Sequence, residues 1–81
     1  MKNETFKVDE IYVPTKRRKT LDMTVVNEIA ESMLEEGQRT PILVRQGKER
    51  FVLVEGLHRL EACKALGEEN IMGLIVQARR H

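Results

Sequence analysis

The feature that most constrains the fold is a run of apolar residues that ends at a glycine, directly before a helix-type pattern. Arg50–Val54 has the composition of a largely buried strand, and Gly56 breaks it. Leu57–Leu66 then has helical periodicity, and Gly67 is a suitable helix terminator. The expected inner face of this helix consists of Leu60, Ala62, Cys63 and Leu66. The sequence therefore predicts a strand–turn–helix unit that needs a larger core to pack against.

A longer helix is predicted upstream, from Thr20 or Asp22 to about Glu36. Threonine and aspartate both favour the N-cap position, and Gly37 is suited to a left-handed conformation at the helix end. Apolar residues recur at spacings of three and four and form one stripe, which consists of Val26, Ile29, Ala30, Met33 and Leu34. One face of this helix is therefore expected to pack against the rest of the domain.

A hairpin is predicted between the two helices. Ile42–Arg45 follows Pro41 and has β-like composition, and residues 46–49 supply a turn. The chain then returns through Arg50–Val54, so the two strands are expected to be antiparallel neighbours.

Two further strands are expected near the ends of the chain. Val8–Val13 has mixed apolar content and ends at Pro14, as an edge strand does. Residues 14–20 are expected to form a basic loop, and Ile71–Val76 to be a last, largely buried strand. The resulting order is β-α-β-β-α-β, which predicts an α+β fold with a mixed sheet and two main helices.

The length of 81 residues predicts a single domain, with a core over about residues 8–76 and a polar, basic tail at 77–81. The apolar runs are too short to cross a bilayer and the N-terminus lacks a secretory signal, so we expect a cytoplasmic protein without membrane contact. Cys63 is the only cysteine, which excludes an internal disulfide and a cysteine-built zinc site. No acidic cluster joins His58 or His81, so no metal site made by the protein alone is expected.

Basic residues are clustered although the net charge is only +1. Lys16–Lys19 form one block, residues 21–36 carry acids and no base, and residues 37–59 are again mainly basic. The small net charge argues against a dedicated non-specific nucleic-acid binder. The two basic segments can converge on one anion if the fold brings them together, and the alternative is that the block is a solvated loop.

The turn at Gly56 is followed by His58 and Arg59 in the first turn of the predicted helix. A helix start presents unpaired N–H groups and the positive end of the dipole, which attract anions and disfavour cations. An imidazole and a guanidinium placed there indicate an anion site, in which Arg59 grips phosphate oxygens, His58 donates one more bond and the glycine lets the backbone approach. The alternatives are a simple turn, a surface histidine, and an arginine paired with Glu55 or Glu61.

These motifs, taken in order, resemble the ParB/sulfiredoxin superfamily over about residues 8–76. Arg18-Lys19-Thr20-Leu21-Asp22 is similar to the family's Arg-Lys-x-Phe-Asp entry to its first helix. Ile29–Gly37, followed by Pro41-Ile42-Leu43-Val44, is similar to the family's helix that ends in glycine before a Pro-Ile-x-Val strand. The hairpin and Val54–Gly67 carry the rest of the resemblance, which implies a small ParB/sulfiredoxin-like domain.

The resemblance also implies nucleotide handling. In chromosome-partition ParB proteins a Gly-Glu-Arg-Arg segment binds the phosphates of CTP; Gly56 and Arg59 match it, whereas Leu57 and His58 replace its Glu and first Arg. The sulfiredoxin counterpart is Gly-Cys-His-Arg, and in this chain Leu57 occupies the position of its nucleophilic cysteine. A leucine cannot act as a nucleophile, so sulfiredoxin activity is not expected. Cys63, further along the helix, is expected to be a core residue.

Four more site residues follow from similarity alone. Arg18 is expected to contact a phosphate or substrate, and Arg39 or Thr40 to approach the ribose and base; the alternative for both arginines is an exposed surface position. Glu55 is a candidate general base because some family members are kinases of small molecules, and its alternative roles are to pair with Arg59 or to be an acid at the helix start. With the turn residues Gly56, Leu57, His58 and Arg59, they form the expected site for a nucleoside triphosphate, CTP or ATP, which brings its own Mg²⁺.

Three functions are consistent with these features. The first is a nucleotide- or phosphate-binding module associated with DNA, alone or through a partner protein, in plasmid or mobile-element partition or regulation. No helix-turn-helix follows the last predicted strand, so operator recognition is expected to need another domain or a partner. The second is an enzyme, either a small nuclease or an ATP-dependent phosphotransferase, and the third is an interaction module that docks through the acidic residues of 28–36. A homodimer is among the expected assemblies.

Overall fold

The computed structural model describes residues 3–77, which form a five-stranded mixed sheet and three α-helices. In chain order the elements are β1 (Glu4–Lys7), β2 (Ile11–Tyr12), α1 (Thr15–Arg18), α2 (Met23–Glu36), β3 (Ile42–Gln46), β4 (Phe51–Glu55), α3 (Leu57–Ala65) and β5 (Asn70–Ile75). The strand order in the sheet is β1-β5-β3-β4-β2. Helix α3 packs on β3 and β5, and α2 packs against α3.

The two main helices and the hairpin agree with the predictions. The Asp22 carboxylate caps α2 by accepting a hydrogen bond from the N–H of Thr24, and Gly37 ends the helix at a φ of 75°. Strands β3 and β4 pair antiparallel, with Val44 opposite Leu53. The α+β fold class with a mixed sheet is therefore confirmed, because β3 also pairs with β5 in the parallel sense.

The N-terminal strand differs from its prediction. Instead of one strand over Val8–Val13, β1 pairs antiparallel with β5 at one edge of the sheet and β2 pairs parallel with β4 at the opposite edge. A 3₁₀ turn at Val8–Glu10 links them, and its first N–H donates to the carbonyl of Glu69 at 2.9 Å. The spacing of three between Val8 and Ile11, both buried, belongs to this turn and not to a strand. The order therefore begins with two strands before the first helix.

The segment predicted as a basic loop contains a single helical turn. Helix α1 covers Thr15–Arg18, and its residues are all exposed. The hydroxyl of Thr20 donates to the carbonyl of Arg17 at 2.8 Å, which closes the segment before α2. The four basic side chains of Lys16–Lys19 therefore lie on solvent-facing backbone that is locally ordered.

The core is aliphatic, with one aromatic pair. Phe6 and Phe51 meet edge to face with ring centroids 4.8 Å apart. The predicted inner face of α3 is buried except for Leu66, which is half-buried, and Cys63 is a core residue at 1% exposure. In the stripe of α2, Leu34 departs from its prediction because its side chain is 73% exposed. The fully buried side chains include Val26, Ile42, Val44, Leu53, Leu60 and Ile71.

Two other predictions concern the extent of the domain. Within residues 3–77, no helix combines the length and apolar character that a membrane span requires. Of the predicted basic tail at 77–81, only Gln77 is described, and residues 78–81 lie outside the described part of the chain.

Candidate functional site

The turn between β4 and α3 requires a glycine for two physical reasons. Gly56 has a φ of 111° and a ψ of 29°, in the left-handed region that other residues rarely adopt. A Cβ on this residue would also lie 2.6 Å from Cγ2 of Ile42, the first residue of β3. In this structure the glycine permits a close approach to the neighbouring strand, and its approach to a ligand stays a prediction.

Leu57 cannot present its side chain to a ligand. It begins α3 with its side chain in the core at 7% exposure, so only its backbone N–H belongs to the turn. This finding corrects the inclusion of Leu57 as a site residue to a backbone contact alone.

His58 links the start of α3 to the start of α2. Its Nε2 accepts a hydrogen bond from the backbone N–H of Asp22 at 3.0 Å, and its side chain is half-buried. Within residues 3–77 it is thus neither a free surface histidine nor paired with an acidic side chain, and its Nε2 already has a partner inside the protein.

Arg59 lines a cleft between α2 and α3. The cleft has a volume of about 220 Å³, and its other polar residues include two of the predicted site residues, Arg39 and Thr40. Arg59 forms no ion pair within residues 3–77, because Glu61 pairs with Lys64 at 3.3 Å instead. The proposed pairing of Arg59 with Glu55 or Glu61 is therefore absent from the described part of the chain. The remaining wall of the cleft consists of Ile29, Ser32, Met33, Glu36 and Gly37.

Arg39 is held at the rim of the same cleft by an acid of α2. Its Nη1 lies 2.7 Å from Oε2 of Glu36, and both side chains are largely exposed. An exposed pair of this kind contributes little to stability, so the Arg39 guanidinium can be redirected to a ligand at small cost.

Gln38, which the sequence analysis did not select, fixes the loop that carries Arg39 and Thr40. Its side-chain amide accepts from the N–H of Met72 at 2.7 Å and donates to the carbonyl of Met72 at 2.8 Å. The same nitrogen lies 3.0 Å from the carbonyl of Thr40. The side chain thus extends the sheet alongside β5 as a strand backbone would. Gln38 and Met72 are 34 positions apart, so no local sequence pattern predicts that Gln38 fixes this loop.

Arg18 lies apart from this cleft. It lines a separate cavity of about 480 Å³ beside β2 and the hairpin, together with Tyr12 and Arg50. The Arg50 guanidinium lies 3.9 Å from the centroid of the Tyr12 ring, which is a cation–π contact. Of the sequence-predicted arginines, the structure thus brings Arg39 and Arg59 together and places Arg18 elsewhere.

Two further groups frame the turn. Glu55, at the end of β4, is exposed and forms no ion pair within the described residues. Burial raises the pKa of the Cys63 thiol, the Glu68 carboxylate raises it further, and the nearby Arg59 charge opposes both. Residues 3–77 contain no group of three or more His, Cys, Asp or Glu side chains that could hold a metal ion.

Comparison with known sequences identifies relatives of this chain. The sequence matches the ParB N-terminal domain family over residues 2–81. It is also 39% identical, over 62 residues, to a probable chromosome-partitioning protein ParB of Campylobacter jejuni. That match covers 76% of this chain and 22% of the relative, so the chain spans about a fifth of the length of the curated relative.

Solved structures share the fold. A sulfiredoxin from Arabidopsis thaliana superposes with a TM-score of 0.86 at 26% identity, covering 96% of this chain and 88% of that one. A C-terminally truncated ParB from Caulobacter crescentus, complexed with CTP-gamma-S, has a TM-score of 0.80 at 19% identity and covers 98% and 46%. A mutant free serine kinase in complex with ADP has a TM-score of 0.81 at 19% identity and covers 94% and 31%. Since the family match extends over residues 2–81 and the same α+β architecture recurs in a ParB, this chain belongs to the ParB N-terminal domain family.

Proposed function

We propose that this domain binds a nucleotide through its phosphates, in the cleft between α2 and α3. The observation that carries the proposal is the placement of Arg59, free of ion pairs within residues 3–77, directly after the Gly56 turn and inside this cleft. A guanidinium at the start of a helix adds positive charge to positive potential, which costs stability until an anion arrives. Oxygen atoms of a phosphate supply that anion and accept two parallel hydrogen bonds from the guanidinium.

The remaining residues of the cleft suit the rest of a nucleotide. Thr40 and Ser32 offer hydroxyls, and Arg39 supplies a second positive charge at the rim once a phosphate draws it away from Glu36. A cavity of about 220 Å³ is smaller than most pockets that enclose a whole ligand, which fits a site that holds part of a nucleotide and leaves the rest in solvent. Mg²⁺ would arrive with the triphosphate, whose oxygens supply most of its ligands.

The solved relatives support this assignment. The Caulobacter crescentus ParB is complexed with CTP-gamma-S, and the free serine kinase is seen with ADP and with AMP. This shared fold therefore accommodates both pyrimidine and purine nucleotides in relatives. CTP and ATP are accordingly the two nucleotides to compare first.

The test is a panel of thermal unfolding measurements on the intact chain. CTP, ATP, ADP and inorganic phosphate are each added with and without Mg²⁺, since a ligand that binds only the folded state raises the melting temperature. We expect a triphosphate to raise it more than phosphate does, in a concentration-dependent manner. A melting temperature that none of the nucleotides changes would contradict the proposal.

A phosphotransferase is the second candidate function, favoured by the position of Glu55. The Glu55 carboxylate is exposed and directly precedes Gly56, where it can accept the proton of an incoming hydroxyl. The experiment is to incubate ATP with small hydroxyl compounds, free serine among them, and to measure ADP release in parent and Glu55→Gln. Release by the parent that falls by about 100-fold or more in Glu55→Gln supports a catalytic base, whereas equal release in the two proteins contradicts it.

Association with DNA is proposed through the exposed basic turn of Lys16–Lys19. Contacts to phosphates are salt-dependent, so the affinity of the domain for duplex DNA should fall as salt rises. The same proposal includes a role in plasmid partition or in a mobile element. It also includes a homodimer, and light scattering with and without nucleotide measures the oligomeric state. A monomer in both conditions would contradict the dimer.

A further inference from the structure

Within residues 3–77, one hydrogen bond joins the starts of the two helices that border the cleft. The N–H of Asp22 donates to Nε2 of His58 at 3.0 Å. Asp22 is the N-cap of α2, and His58 lies in the first turn of α3. The two partners are 36 positions apart, so the bond ties together helices that the chain joins only through the β3–β4 hairpin.

This bond completes a cap that α2 cannot complete alone. The Asp22 carboxylate accepts from the N–H of Thr24 at 2.9 Å, as an N-cap side chain does. In a capping box the return bond goes from the N-cap N–H to a Glu or Gln at the third helical position. That position is Val25, which has no acceptor. His58 therefore supplies from α3 the acceptor that α2 lacks.

The bond also defines the state of the imidazole. A ring nitrogen that accepts from a backbone N–H carries no proton, so the neutral ring of His58 has its proton on Nδ1. Nε2 is then occupied and cannot donate to a phosphate oxygen. His58 is predicted from its sequence position to donate to a ligand, whereas in the structure its Nε2 accepts from Asp22.

We propose that His58 is a positioning residue that caps α2 from α3 and thereby sets the width of the cleft around Arg59. Arg59 is the next residue on α3, and the opposite wall is formed by Ser32 and Glu36 of α2. Fixing the start of α2 to the start of α3 restrains the orientation of α2, whose later turns carry this wall, relative to α3. The nature of the ligand rests on the proposed function, whereas the capping bond stands on the structure of the free domain.

Two variants separate positioning from direct contact. His58→Gln keeps an acceptor oxygen near the place of Nε2, and His58→Phe keeps a ring of similar size without any acceptor. In the free proteins, hydrogen exchange of the Asp22 amide is measured by NMR, with the long-range ¹H–¹⁵N spectrum of the parent imidazole. We expect Nε2 of the parent to be unprotonated. The Asp22 amide should be protected from exchange in the parent and in His58→Gln, and should exchange faster in His58→Phe. A protonated Nε2, or equal exchange in all three proteins, overturns the capping role. If His58→Phe does not fold, His58→Asn replaces it, since the asparagine side chain is too short for its oxygen to reach the Asp22 N–H.

Titrations with CTP and ATP then test the effect on the cleft. We expect His58→Gln to bind within about twofold of the parent and His58→Phe to bind about fivefold more weakly, the value of one hydrogen bond. If His58→Gln binds as weakly as His58→Phe while its Asp22 amide stays protected, His58 contacts the ligand and the positioning role is overturned. If the parent binds neither nucleotide, the proposed function fails, and the exchange data alone decide whether His58 caps α2.

Discussion

Gly56 lies so close to Ile42 that the two residues leave no space for a Cβ between them. A Cβ on Gly56 would lie 2.6 Å from Cγ2 of Ile42, well inside van der Waals contact. The turn at Gly56 thus packs closely against the first residue of β3. Packing against Ile42 and the left-handed backbone conformation are therefore sufficient to require a glycine at position 56, without any contact to a ligand.

The first prediction follows from that contact. Gly56→Ala should reduce the free energy of unfolding by about 3 kcal/mol, because a left-handed alanine is strained and its methyl group clashes with Ile42. Gly67→Ala is the matched control, since Gly67 also has a positive φ of 74° but has nothing within 4 Å of its added Cβ. The control should lose about 1 kcal/mol. Urea denaturation followed by circular dichroism measures both, and equal losses would contradict the packing argument.

The elements that the sequence predicted well are those with local signals. Helix α2 follows from an apolar stripe between Asp22 and Gly37, and α3 from a similar stripe after Gly56, because capping and periodicity act within a few residues. The split between β1 and β2 was not predicted, since it depends on pairing with β5 and β4, which lie far along the chain. Edge strands this short carry too few residues to show an alternating pattern.

The candidate site shows the same division. Arg59 was predicted from local sequence, and Arg39 and Thr40 from the family resemblance; these three residues line one cleft, which Gly56, Leu57 and His58 do not line. Arg18 was expected beside them but lines a separate cavity together with Tyr12, because the one-turn helix α1 that carries it follows β2 closely in the chain. The hydrogen bond between His58 and Asp22 joins two separate motifs, and the local sequence of neither motif predicts a contact with the other.

A second prediction concerns the loop that carries Arg39. Gln38→Ala removes the three hydrogen bonds to Met72 and Thr40, and should lower the free energy of unfolding by about 2 kcal/mol. Gln46→Ala is the control, because the Gln46 amide bonds only to the carbonyl of Gly47 on the surface and its loss should cost under about 0.5 kcal/mol. Chemical denaturation compares the two. A Gln38→Ala variant as stable as the control would show that the loop is held in another way.

A third prediction concerns the pH dependence of stability at the Cys63 thiol. Burial raises the pKa of this thiol above its ordinary value of 9.0, so the folded state retains the proton to higher pH than the unfolded state. The resulting stabilisation is fully present below about pH 9 and decreases as the pH rises through the folded-state pKa. Urea denaturation between pH 7 and 10 should show this decline in the parent. In Cys63→Ala the part of the slope due to the thiol should be absent, and identical slopes would contradict the assignment.

A fourth prediction uses the same thiol as a reporter of folding. Because Cys63 is 1% exposed and its thiol is largely protonated at neutral pH, alkylation by iodoacetamide should be slow in the folded domain. The reaction then proceeds through opening of α3 and should accelerate on addition of urea. A ligand that binds the folded domain should slow it further. Rapid alkylation of the folded protein would contradict the burial of this residue.

The most direct test of nucleotide binding in the α2–α3 cleft is calorimetric titration of CTP and ATP, with Mg²⁺, into parent, Arg59→Ala and Arg45→Ala. Arg45 is an exposed arginine of β3 outside the cleft, so its variant controls for the loss of one positive charge. We predict that Arg59→Ala weakens binding of the preferred nucleotide by about 10- to 100-fold, the value of a charge-assisted contact, with the fold intact. Arg45→Ala should bind within about twofold of the parent. Equal affinity of the parent and Arg59→Ala would contradict the account, because the phosphates would then bind elsewhere.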